Sequence, residues 1–456
     1  MAEPWKLCES AGVEPQELVK AAEKLGASEA EAIVMCRETT RLEAHAGSLA
    51  RAIARARTVV GIRVAVGGRV AGASGEISSQ ASAEALVRRA LASARAAQED
   101  PEWPGFNPLL GCSPEKPRVW DEEAAAAGPD RLSEILRSQI GLLRERGASL
   151  VEAVLISGWT AQLYANSHGG PVGTASTVIS YWVEARRDSS GRFATHGEHY
   201  SGVALSTERI ERATRLAAER SIDALRARPL AEPLRGAVIL LQPEAAEVVD
   251  TLISPAVSGD NILRGRSPLA GRQGEEVLGK HVSFIDDPWI DYEPGSTCSD
   301  DEGHPTMRKP VIERGVFRTP LYDHYTARKA GAEPTGNGFR PGPSASPQPV
   351  PTNLVLDYHG PYRSVDKLLS EIDKGVIVAA TIGSWLSNPA SGQINATLIL
   401  GYLVEKGSIE GPVKGATLTA NIYDLLGPQL IGIAGPRECW GGVCTGIIAG
   451  EGASVA

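Results

Sequence analysis

The pattern that most constrains this chain runs from Val60 to Ala73. Val60, Ile62, Val64 and Val66 alternate with Gly61, Arg63 and Ala65, a period of two that suits a strand with one apolar face. Gly67-Gly68 follows at once and can supply the positive φ of a two-residue hairpin turn, after which Arg69 to Ala73 begins the return strand. An antiparallel sheet is therefore built into this part of the chain.

Helices alternate with these strands over the first 230 residues. Glu14 to Leu25 places Leu18, Ala22 and Leu25 on one face, with Gly26 set to end the helix. Ser82 reads as an N-cap for a helix carrying Leu86, Val87, Ala90, Leu91 and Ala94. A Pro-rich connection from Pro101 to Pro117 leads to a second amphipathic helix, Pro129 to Arg146, with Leu132, Ile135, Leu136 and Leu143 inward. Strands are expected at Leu150 to Ile156 and Gln162 to Asn166, and a long hairpin runs from Thr174 to Arg187 and back after Asp188-Ser-Ser-Gly191. A helix from Thr207 to Arg226 closes this half, and Pro229 and Pro233 mark its end.

From Gly236 to Leu241 the chain reads as a buried strand, and short alternating runs rich in Gly and Pro follow. The expected fold class is α+β: an N-terminal helix-and-sheet domain over 1–230, then a β-rich, mostly antiparallel C-terminal domain over 231–456. Residues 338–352, with Pro341, Pro343, Pro347, Pro349 and Pro351, read as an extended loop or flexible cover rather than a folded element.

The net charge of −9, with no Lys/Arg block, argues against DNA or an anionic membrane as partner. The N-terminus lacks the basic start and apolar stretch of a signal peptide. No apolar run approaches the roughly 20 residues that span a bilayer, so a cytoplasmic location is expected. The six cysteines, Cys8, Cys36, Cys112, Cys298, Cys439 and Cys444, are sparse and scattered; reduced, structural thiols are expected rather than a disulfide framework.

Single motifs do not identify a function. Gly336-Asn-Gly338 with Gly342 has the wrong spacing for a dinucleotide-binding turn. His196 and His199 lie three apart on a strand and face opposite sides, so they do not converge on one metal. Gly442-Val-Cys444-Thr-Gly446 imitates a nucleophile elbow, but no helix follows it, which favours a structural cysteine. Asp286-Asp287 and Asp300-Asp301-Glu302 offer acid/base or cation-binding carboxylates, though in such loops Asp more often caps turns.

Read in order, several segments resemble the TldD/PmbA family. Gly61 to Ser74 is similar to its N-terminal hairpin, and Asn166-Ser-His-Gly169 to its "N-S-x-G" turn. Ser267 through Gly274-Glu275 to Asp286-Asp287-Pro288, then Asp301-Glu-Gly-His-Pro305, Glu313-Arg-Gly315, Leu321-Tyr-Asp323, Thr335-Gly-Asn-Gly338 and Thr352-Asn-Leu354, continue the family order. The zinc-bearing subunit of that family carries His-Glu-x-x-x-His after the first C-terminal strand. Here the corresponding stretch, placed to within one residue, reads Ser254-Pro-Ala-Val-Ser258-Gly259. Hydroxyls do not replace imidazoles on zinc, and Pro255 removes the carboxylate that would activate water.

The resemblance thus implies a PmbA/TldE-type subunit with no metal of its own. It would be non-catalytic alone and paired as a heterodimer with a TldD-like zinc-bearing subunit. The complex would act on unfolded or short peptides, including in peptide natural-product maturation. Cys444 matches the family's third ligand as a vestige or cavity residue, and Asp301, Glu302, His304 and Asn337 are the further cavity and substrate candidates. Two other readings stand beside this one: a stand-alone hydrolase with Cys444 as nucleophile and His304 or His324 as base, and a homodimeric peptide-binding module.

Overall fold

The computed structural model describes residues 3–8, 12–77, 80–361 and 363–456. Its first lobe is built on a six-stranded antiparallel sheet: β1 (Glu29–His45), β2 (Ser48–Val66), β3 (Arg69–Glu76), β4 (Ser149–Asn166), β5 (Gly169–Ser189) and β6 (Arg192–Gly202), ordered β3-β2-β1-β4-β5-β6. Gly67 and Gly68 both take positive φ in the β2–β3 turn, as the alternation before them requires.

The apolar positions of this sheet face four helices. Pro15–Lys24 and Gln80–Ala96 close over Val60, Ile62 and Val64, burying Leu18, Val19, Leu86, Val87 and Leu91. Pro129–Glu145 and Thr207–Arg226 cover the other half, with Leu132, Leu136 and Ile210 packed on Leu155, Ile179 and Tyr181. The Gln80–Ala96 helix starts before Ser82, which is therefore inside the helix rather than its cap.

The intervening positions of β2 are buried too, because the opposite face is also covered. A Cβ on Gly61 would sit 2.1 Å from the carbonyl oxygen of Pro343, and one on Gly72 2.5 Å from that of Ser344. The Pro-rich segment is thus a folded strap, which corrects the expectation of a loop without structure. Gly338–Phe339 pairs with Gln348–Pro349, Asn337 ties both ends together, and Arg340 reaches into the first lobe.

The second lobe centres on a twelve-stranded, mostly antiparallel sheet in which Leu234–Leu240 lies between Lys374–Ile382 and Val443–Val455. Its main core gathers Val238 and Leu240 with Val249, Leu252 and Ile253 of the helix Glu244–Ala256, and with Phe284, Phe317 and Leu354. The result is the α+β, mostly antiparallel architecture read from the sequence. Among the described residues, no helix is long and apolar enough to cross a membrane.

The cysteines depart from expectation. Cys8–Cys36, Cys112–Cys298 and Cys439–Cys444 form three disulfides, with Cα separations of 5.6, 4.8 and 3.9 Å. Their sequence separations of 28, 186 and 5 gave no such pattern. The fold supplies it, by laying Cys112 of the Pro-rich connection against Cys298 of the second lobe and facing Cys439 with Cys444 across a hairpin.

Candidate functional site

The segment Asp300–Pro305 folds around the first of its carboxylates. Asp300 Oδ1 accepts from the backbone N–H groups of Glu302 at 3.0 Å and His304 at 2.9 Å, and Oδ2 from Gly338 N–H at 2.9 Å. This capping role is the one Asp is suited to in a Gly-containing turn. Gly303 takes a φ of +71° at the bend, where a Cβ would lie 2.9 Å from the ring of Tyr164. The turn points Asp301, Glu302 and His304 to three different partners.

Asp301 accepts from Gln162 Nε2 at 2.9 Å and from the Arg340 N–H at 2.8 Å, joining the two lobes. Glu302 accepts from the backbone N–H of His324 at 2.7 Å, an approach that only a glycine at 338 permits, since a Cβ there would be 2.4 Å from Glu302 Oε2. His304 Nδ1 lies 2.9 Å from the carbonyl of Pro305. Asn337 is fully buried and donates to Asp286 Oδ2 at 2.9 Å and to the Val350 carbonyl at 2.9 Å, so its role is to fasten the strap. Asp286 itself takes Lys309 Nζ at 2.7 Å and both the N–H and hydroxyl of Thr352 at 2.7 Å.

A second buried network lies alongside. Glu31 on β1 meets Arg63 Nη1 of β2 at 2.5 Å, Arg340 Nη2 of the strap at 2.8 Å and the Tyr164 hydroxyl of β4 at 2.7 Å. Burial disfavours the Glu31 carboxylate, but Arg340 and Arg63 outweigh it and hold the group below the usual range.

Between these networks is a cavity of about 390 Å³, lined among others by Arg63, Trp103, Glu302, Asp323, His324 and Tyr325. Burial pushes Glu302 well above the ordinary carboxylate range, and Asp300 and Asp323 push it further. Asp323 is raised by burial, and Asp300 is raised to about 7 by burial despite its three backbone donors. Burial, followed by Arg328, depresses His324 to about 4. His324 is 3% exposed, and among the described residues neither ring nitrogen has a hydrogen-bond partner.

The remaining candidates lie elsewhere. Ser254 donates from Oγ to Asp250 Oδ1 at 2.8 Å, inside the helix Glu244–Ala256 that also contains Pro255. Ser258 is buried just beyond it. At Gly259 a Cβ would meet the ring of Tyr322 at 2.3 Å, so the position has no room for an imidazole. Cys444 lies in the strand Val443–Val455, is fully buried and is bonded to Cys439. Zinc coordination does not fit this donor set: hydroxyl, proline, glycine and an oxidised cysteine offer no imidazole or thiolate. Among the described residues, no group of three His, Cys, Asp or Glu side chains is arranged to hold a metal ion.

His196 bonds Glu198 at 3.0 Å while His199 turns to the other face against Trp440, as the strand period requires. The walls contributed by Trp103, Phe106 and Tyr325 have no signal in the sequence beyond aromatic residues within or beside Pro- and Gly-rich connections.

Residues 235–456 match the PmbA/TldA metallopeptidase C-terminal domain. A metalloprotease of Archaeoglobus fulgidus is 32% identical over 43% of this chain and 44% of its own. A metalloprotease TldD homolog of Haemophilus influenzae is 30% identical over 38% of this chain and 36% of its own. The matched stretch thus spans less than half the length of these relatives. In fold, TldE from Thermococcus kodakarensis is similar across 97% of this chain and 99% of that one, with a TM-score of 0.86 at 24% identity. The fold and the C-terminal match define a two-lobed α+β protein of the metallopeptidase-like class. Residues 235–456 of the chain belong to the TldD/PmbA family.

Proposed function

We propose that this chain is the zinc-free, PmbA/TldE-type subunit of a two-component peptidase, inactive alone and completed by a TldD-like subunit that carries the metal. The observation that carries this reading is the segment 254–259. Ser254 is bonded within its helix, Pro255 has no carboxylate, and Gly259 is pressed against Tyr322. A Cys444 nucleophile is disfavoured by its disulfide and full burial.

The place for a partner is suggested by an apolar patch beside the same helix. Ile382 is 52%, Trp385 70% and Leu386 66% exposed, on a turn whose Ser384 hydroxyl donates to Glu247 of that helix. Large apolar side chains grouped on a surface mark interaction sites more often than chance exposure does. The complex would act on unfolded or short peptides in the cytoplasm, and a role in maturing peptide natural products falls within this reading. Light scattering on co-expressed protein tests it: a 1:1 heterodimer is expected, and Trp385→Asp is expected to return this chain to its unpaired state. A Trp385→Asp chain that pairs as tightly as the wild type would reject the interface, and a chain that never pairs would reject the reading.

A further inference from the structure

The cavity between the lobes has a chemistry that neither network around it uses up. Glu302 receives one hydrogen bond on its carboxylate, from the His324 N–H to Oε2. Asp323 receives the Thr326 N–H and hydroxyl on Oδ1, at 2.7 and 2.6 Å. Among the described residues, no donor reaches Glu302 Oε1 or Asp323 Oδ2. Both acids are buried, as is the His324 ring with its two unpartnered nitrogens. Buried polar groups are nearly always satisfied, so the two open nitrogens of His324, beside two carboxylates that each keep one oxygen without a donor, indicate a missing donor.

The nearby cations do not supply it. Arg63 is engaged by Glu31 at 2.5 Å, and Arg264 by Asp260 at 2.8 and 2.9 Å. An anionic ligand would meet two carboxylates with both arginines already paired. A bare metal ion is disfavoured by the absence, among the described residues, of three suitably arranged ligating groups. A group with three donors and one positive charge fits, and a primary ammonium is that group. The wall opposite is aromatic: Trp103 stacks on Tyr325 at 6.4 Å and meets Phe106 edge-on at 5.1 Å. Arg63 and Lys329 already lie over these rings, at 5.9 Å from Trp103 and 5.3 Å from Tyr325, so the wall takes the methylene or peptide portion that follows an amine rather than its charge.

We infer that this cavity binds the primary ammonium group of a peptide, which donates to the Glu302 and Asp323 carboxylates and to a ring nitrogen of His324. The neutral imidazole accepts, and the ligand's charge stabilises the ionised form of the two acids, which burial alone disfavours. The inference concerns this chain alone and does not depend on the zinc-bearing partner.

Calorimetry on the full chain without partner tests it, with three probes: alanyl-alanine amide, its N-acetyl form, and Nα-acetyl-lysine amide. Binding of the free-amine dipeptide, weakened about tenfold or more by acetylation, is expected. Binding of the lysine probe would identify a side-chain amine as the source and also supports the site. Glu302→Gln is expected to weaken binding about tenfold. If that variant does not fold, His324→Leu, which leaves no polar atom unpaired, is expected to do the same. Equal binding of the acetylated dipeptide, no binding by either amine at millimolar concentration, or a Mn²⁺ or Zn²⁺ site abolished by the same variants would each overturn the inference.

Discussion

Replacing Glu31 with Gln should be among the most damaging single changes available in this chain. The side chain is 3% exposed, and two guanidiniums, Arg63 at 6% and Arg340 at 2%, depend on it for compensation. Breaking a buried ion pair from one side costs about 3–5 kcal/mol, because the abandoned charge stays out of water. Here two charges are abandoned and the Tyr164 hydroxyl loses its acceptor, so the upper half of that range applies. With a urea slope of about 3 kcal/mol/M for a large domain, the transition reporting on the first lobe should fall by roughly 1 M or more. Urea unfolding followed by far-UV circular dichroism measures it.

The companion variant removes all three charges together: Glu31→Leu, Arg63→Met and Arg340→Met. It should recover much of the loss, since buried ion networks replaced by apolar groups of similar size are often close to neutral. An E31Q protein within about 1 kcal/mol of the wild type would refute the argument, as would a triple variant weaker than E31Q.

Two further outcomes follow from the same region. Gly61→Ala forces a methyl to within 2.1 Å of the Pro343 carbonyl, so it should displace the strap and cost about 1–3 kcal/mol; limited proteolysis within 338–352 should become faster than in the wild type. Glu302 has a folded-state pKa well above its ordinary 4.5, so the unfolded chain releases that proton first. Stability should therefore fall as pH rises above about 4.5 toward the folded pKa, and Glu302→Gln should flatten that decline. Urea midpoints from pH 4.5 to 8 check this, and parallel curves for both proteins would contradict it.

Much of the first lobe was legible because its signals are local. The β2–β3 hairpin follows from valine alternation and two glycines, and the helices Pro129–Glu145 and Thr207–Arg226 from an apolar face between clear stops. Where the cause is tertiary, the sequence is silent. β4 reads as two strands because Ser157-Gly158 interrupts the apolar pattern, yet it runs unbroken. Gly158 is needed where a Cβ would lie 2.0 Å from the Glu38 carbonyl of β1. The long β1 itself carries Arg, Glu and Thr through its middle and has no clean alternation.

The site divided in the same way. The order of motifs brought Asp301, Glu302 and His304 to attention, and the structure places them on one turn. Asn337 turned out to fasten the strap, and Cys444 lies apart in a disulfide. The aromatic wall of the cavity could not be foreseen, because Trp103 and Tyr325 are more than 200 positions apart and meet only when the lobes close.

In the proposed heterodimer the metal and the cleavage chemistry belong to the partner. Elemental analysis of this chain purified alone and co-expressed with a TldD-like protein, with a peptide cleavage assay on both, tests it most directly. Zinc and cleavage are expected only in the co-expressed sample, with about one zinc per heterodimer. One zinc per chain in the lone protein, or cleavage by it without a partner, would contradict the account.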